Sequence, residues 1–135
     1  RINKNPHNLK DFKAFKETVL IAAGWRPGFS TDLDAAILAK NFGLREIINL
    51  SNIDYVYDKD PEVFKNARPQ KVISWKEFRK LVGHKWHPGM NAPFDPVASK
   101  IAEENNFKVI IINGRKLKNL ENYINHKKFH GTTIF

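Results

Sequence analysis

The sequence predicts an α/β fold, a three-layer α/β/α arrangement around a mainly parallel sheet, with residues 1–135 forming a single domain. Two observations point there. Apolar, β-branched runs alternate with helix-patterned stretches along the whole chain, without internal repeats or low-complexity linkers. Two of the runs, TVLIAA at 18–23 and FKVIII at 107–112, are continuous rather than alternating, as strands covered on both faces are.

The elements follow in order. Leu9, Phe12 and Phe15 recur at helical spacing between lysines, so 8–16 reads as an amphipathic helix with Asn8 as N-cap. Residues 18–23 are a strand buried on both faces, and 24–31 (GWRPGFST) a turn-rich loop. A helix over 32–42 is closed by Gly43, and a strand follows at 46–50. The polar, aromatic stretch 51–60 is a loop or short hairpin, 61–69 is irregular, and 71–73 is a short strand. Ser74 caps a helix over 75–82 with Glu77 in the capping-box position. After the loop at 84–93, Asp95 caps a helix that has Pro96 in its first turn and runs to about Asn105. The strand 107–112, a helix at 116–125 and a short edge strand at 131–134 (GTTI) complete the chain.

Composition narrows the function. There are no cysteines, so disulfides, thiolate metal sites and cysteine nucleophiles are excluded, and a reducing cytoplasm fits. No apolar run approaches a membrane span and no signal peptide is visible. The net charge of +9, from 23 Lys+Arg against 14 Asp+Glu, suits a polyanionic or phosphorylated partner, or simply a solvated basic surface. The chain opens on Arg1 and its only methionine is Met90, which leads us to expect a piece of something longer.

In an open parallel sheet, ligands bind at the carboxyl ends of strands, and three loops sit there: 24–31, 51–60 and the end of the strand 107–112 at Asn113–Gly114. The loop 24–31 leaves a strand and enters a helix N-terminus, where free amides and the helix dipole favour an anion. Gly28 allows close backbone approach, Ser30 and Thr31 bring hydroxyls, and Arg26 a guanidinium. From residues alone two readings stay open: a phosphate site, or a turn whose Thr31 or Asp32 merely caps the helix. Asp32 would repel a phosphate unless a cation intervenes, so it either caps or orients a lysine or a magnesium-bearing phosphate. In the second loop, Tyr55 and Tyr57 lie among Asp54, Asp58 and Asp60, which suits either base stacking or an acidic turn with inward-packed rings. The Gly and closing Glu of a calcium loop are missing there. His84 and His87 have no evident third metal ligand, and neither a Walker loop nor a G-x-S-x-G elbow occurs. The basic stretches 10–16 and 116–128 lack interleaved aromatics and read as solvated helix faces, so nucleic acid is not the expected partner.

Taken in order, G-x-x-P-G-x-S-T-D at 24–32, S-N-I-D-Y-V-Y-D-K-D-P at 51–61, F-D-P-V-A-S-K at 94–100 and G-T-T-I at 131–134 resemble the C-terminal, nucleotide-binding part of uridylate (UMP) kinases in the amino-acid kinase superfamily. The resemblance implies transfer of a γ-phosphoryl group from ATP to UMP, with Mg2+ bound through the ATP phosphates. It implies a UMP site at Gly24, Trp25, Arg26, Pro27, Gly28, Phe29, Ser30 and Thr31, with Ser30 and Thr31 near the phosphate. It implies ATP contacts at Ser51, Asn52, Tyr57 and Asp60, and catalytic roles for Asp32 and Asp95. It also implies an absent N-terminal portion, which carries a lysine facing Asp32, an inactive fragment in its isolation, a cytoplasmic location and a homohexamer. Tyr55 departs from the pattern, since glycine is common there. A non-catalytic nucleotide-binding or regulatory module, another superfamily kinase (carbamate, glutamate, aspartate or isopentenyl phosphate) and a basic RNA-binding domain are the alternatives.

Overall fold

The computed structural model describes residues 2–3, 18–25, 27–87 and 89–135. The helix expected over 8–16, and Arg26, lie outside the described residues. The element order is β1 (Ile2–Asn3), β2 (Ile21–Ala22), α1 (Thr31–Phe42), β3 (Glu46–Ser51), β4 (Val56–Tyr57), β5 (Pro69–Gln70), β6 (Val72–Ile73), α2 (Trp75–Val82), α3 (Pro96–Glu104), β7 (Lys108–Asn113), α4 (Leu117–Ile124) and β8 (Thr132–Ile134).

The main sheet is four-stranded in the order β3-β7-β8-β6. Strands β3 and β7 run parallel in a continuous register from Glu46↔Lys108 to Ser51↔Asn113. Strand β8 is antiparallel to β7 and parallel to β6. Val109, Ile110, Ile111 and Ile112 are all fully buried, which is what the unbroken apolar run at 107–112 requires. Alternate residues face opposite sides of a strand. Val109 and Ile111 join Leu33, Ala36 and Ala39 of α1, Trp75, Phe78 and Val82 of α2, and Ala98 and Ala102 of α3 in one apolar core. Ile110 and Ile112 are buried outside that core. Helix α4 packs against β7. The result is the three-layer α/β/α arrangement that the sequence predicts.

Local signals place the helices. Ser30 is the N-cap of α1, so the helix starts one residue earlier than expected, at Thr31. Gly43 ends it in the left-handed conformation at φ 66°. Ser74 and Glu77 close a capping box on α2. Asp95 caps α3, with Pro96 in its first turn.

Two expectations fail. The stretch 18–23 is not a strand buried on both faces: only Ile21–Ala22 pair, with Ile2–Asn3, and Val19 and Ile21 are 63% and 61% exposed. Their two-residue ladder stands apart from the four-stranded sheet, so the helices that cover that sheet do not cover them. The segment 131–134 is not an edge strand, because β8 lies between β7 and β6. The polar Thr132 is satisfied in this interior position: its Oγ1 accepts from Val56 N at 2.9 Å and donates to Gln70 O at 2.5 Å. The loop 51–60 contains β4, which forms a short antiparallel ribbon with β5.

Candidate active site

Helices α1 and α3 bring together two aspartates that are far apart in the chain. Asp95 is buried, and its Oδ1 accepts from the Val97 and Ala98 amides at 2.5 and 2.8 Å, closing the α3 N-terminus. Its Oδ2 accepts from Ser30 Oγ at 2.5 Å. Asp32, in the first turn of α1, accepts at Oδ2 from Asp95 N at 2.9 Å and at Oδ1 from Asn49 Nδ2 at 3.2 Å. Asn49 stands on β3 and also reaches Pro93 O at 3.4 Å. Burial pushes the Asp32 carboxyl above its ordinary range and the Asp95 charge adds to this, while the Asp95 amide opposes it. The bonds to the Asp32 carboxylate come from an amide side chain and a backbone N–H, and none from a lysine or arginine among the described residues.

The loop 24–31 lies beside this junction. Trp25 N donates to Asp34 Oδ2 at 2.9 Å, and the Trp25 and Phe29 rings meet edge-on at 4.8 Å. Phe29 also packs against the core. Gly28 has φ 89°, and a Cβ there or at Gly24 would meet open space. The Ser30 hydroxyl is committed: it accepts from Leu33 N at 3.0 Å while donating to Asp95. Thr31 is exposed at the first turn of α1, with Pro27 and Gly28 forming the exposed turn before it. Of the residues expected around UMP, the structure therefore gathers Gly24, Trp25, Pro27, Gly28, Phe29, Ser30 and Thr31 in one loop. It directs the Ser30 hydrogen toward Asp95 rather than outward.

At the carboxyl end of β3 lies a cavity of about 400 Å³. Ser51, Asn52, Tyr57 and Asp60 all line it, with Tyr55, Val82, Ala92 and Pro93. That volume lies within the range of small-molecule sites. Asp60 shapes the rim: its Oδ1 accepts from Glu62 N at 2.9 Å and its carbonyl from Phe64 N at 2.8 Å. Pro93 joins the two places, since it lines the cavity and its carbonyl meets Asn49 beside Asp32.

Sequence reasoning pointed to the strand end at Asn113–Gly114 but missed Asn49. Asn113 Nδ2 holds Asp54 Oδ1 at 2.9 Å, and Lys116 Nζ holds Asp54 Oδ2 at 2.7 Å. The signal for Asn49 was there: it directly follows the apolar pair Ile47–Ile48 near the carboxyl end of its strand. His84 Nδ1 meets Arg79 Nη2 at 3.2 Å, and no group of three His, Cys, Asp or Glu among the described residues could hold a metal ion. Among the same residues, no helix is long and apolar enough to cross a membrane.

The chain is similar in sequence and fold to known proteins. The uridylate kinase of Hyperthermus butylicus is 34% identical over 106 residues, covering 78% of this chain and 47% of that protein. The uridylate kinase of Sulfurisphaera tokodaii is 33% identical over 135 residues, covering 97% of this chain and 59% of that protein. The chain thus spans about half the length of the curated relatives it matches. The crystal structure of uridylate kinase from Archaeoglobus fulgidus superposes with a TM-score of 0.79 at 26% identity, over 100% of this chain and 60% of that one. Residues 4–113 match the model of the amino acid kinase family, and the chain belongs to that family.

Proposed function

We propose that this chain is the nucleotide-holding part of a UMP kinase that transfers the γ-phosphoryl group of ATP to a phosphate oxygen of UMP, giving ADP and UDP. One observation carries the reading. The N-termini of α1 and α3 converge on the Asp32–Asp95 pair, beside the loop 24–31 and in reach of the cavity at the end of β3. Two helix N-termini facing one place favour negative charge there. Ser51, Asn52, Tyr57 and Asp60 would hold the ATP base and ribose, and the loop 24–31 would hold UMP. Phosphoryl transfer needs positioning and electrostatics more than covalent work from the protein. Asp95 would fix the two helix ends relative to each other, and Asp32 would orient a cationic group at the reacting phosphates.

Magnesium fits as a companion of ATP rather than a resident ion. The described residues offer no metal cage, and three of the four carboxylate oxygens of the pair each carry one described bond, while Asp95 Oδ1 carries two. Mg2+ is ordinarily held by one or two carboxylates plus substrate phosphates. When bound it would neutralise phosphate charge, and Asp32 and Asp95 would be the residues to face it. The cation opposite Asp32 would come from the rest of a longer kinase, as would the contacts of any oligomer, and we expect the chain by itself not to turn over.

A non-catalytic nucleotide-binding module is the second reading, favoured by the absence of a lysine or arginine on Asp32 among the described residues. ADP release by the full-length protein with Mg-ATP and UMP, CMP or AMP separates the two. Preferred turnover of UMP supports the kinase, whereas ATP binding without turnover of any acceptor supports the module.

A further inference from the structure

We propose that Tyr55 forms the wall of the cavity that fits it to a planar base, and that His130 is the positioning residue that holds the Tyr55 ring in place. The proposal rests on reading the cavity as a nucleotide site. Tyr55 is half-buried and lines the cavity with Asn52 and Tyr57. Its hydroxyl meets His130 Nδ1 at 3.0 Å, either donating to the neutral ring nitrogen or accepting from Nδ1–H.

His130 is itself fixed. The Asn119 side chain, buried on α4, accepts from His130 N at 2.7 Å and donates to His130 O at 2.6 Å. The residues flanking Tyr55 are tied to the same part of the fold. Asp54 is held by Asn113 and Lys116, and Val56 N donates to Thr132 Oγ1. Three successive residues of the loop are thus anchored to the β7–β8 segment, so the ring's position is set by the main sheet rather than by the loop. The resemblance leads one to expect glycine where Tyr55 stands. A ring at that place adds a stacking face, and base–aromatic stacking tolerates any base.

Calorimetric titration of the purified protein with ATP and with inorganic tripolyphosphate tests this, because tripolyphosphate has no base. Tyr55→Ala is expected to weaken ATP about tenfold and leave tripolyphosphate unchanged. Tyr55→Phe and His130→Ala each remove the same bond, so each should weaken ATP by about two- to threefold, with no further loss when combined. His130→Gln, which keeps a hydrogen-bonding group, should restore binding. Tyr55→Phe keeps the ring and reports even if Tyr55→Ala fails to fold, which a thermal melt reveals. Unchanged ATP affinity in Tyr55→Ala, or additive losses in the double variant, overturns the proposal alone. Wild-type protein that binds ATP no tighter than tripolyphosphate overturns the base-site reading together with it.

Discussion

Asp32 is the residue on which burial, charge and chemistry converge. Its carboxyl is raised chiefly by desolvation and then by Asp95, so the native state holds that proton more tightly than the unfolded chain does. The sign follows: the contribution is most favourable below the ordinary carboxylate range, and stability is lost as pH rises from that range through the raised native value. Asp32→Asn removes the titration. Chemical denaturation across pH 3–8 is expected to show a smaller loss of stability with rising pH in the variant than in wild type over that window. An identical slope would contradict the placement of Asp32. On the proposed reading, the same substitution in the full-length protein is expected to cut UMP phosphorylation by about 10²-fold or more, since it would remove the group that orients a cation at the reacting phosphates. Just before β8, Gly131 is buried, and a Cβ there would fall inside contact distance of the Ile111 carbonyl oxygen and the Phe129 ring. Gly131→Ala is therefore expected to cost about 2–3 kcal/mol in a denaturant titration, because backbone cannot give way as a side chain can.

At the scale of elements, what could be read from sequence was whatever is decided locally. The α2 capping box, the Asp95–Pro96 start of α3 and the Gly43 stop of α1 each depend on residues within a turn of one another. Removing one such signal, Ser74→Ala, is expected to lower stability by about 1 kcal/mol in thermal or chemical unfolding. The apolar run of β7 was equally legible, because it is covered on both faces by this chain's own residues. The run at 18–23 states a demand for burial that its two-residue ladder with β1 does not meet, and a sequence pattern cannot show which neighbour covers it. The interior position of β8 was hidden for a related reason: Thr132 finds its partners, Val56 and Gln70, in segments remote along the chain.

Across the whole molecule, the site is a product of long-range order. Asp32 and Asp95 were each visible as residues beside a helix start, but their mutual bond depends on α1 packing against α3, which no spacing in the sequence encodes. The four residues expected to contact ATP share one cavity because β3 delivers Ser51 and Asn52 to its mouth and the β4–β5 ribbon folds Tyr57 beside them. Asn49, between the cavity and the aspartates, became recognisable only once both were in place. The central claim is that nucleotides occupy these two adjoining places. The most direct measurement is a heteronuclear NMR titration of the labelled protein with ATP and then UMP. Amide shifts confined to 51–60 and 91–93 for ATP, and to 24–32 for UMP, are the predicted result. Shifts centred on the basic stretch 116–128, or none at either place, would contradict it.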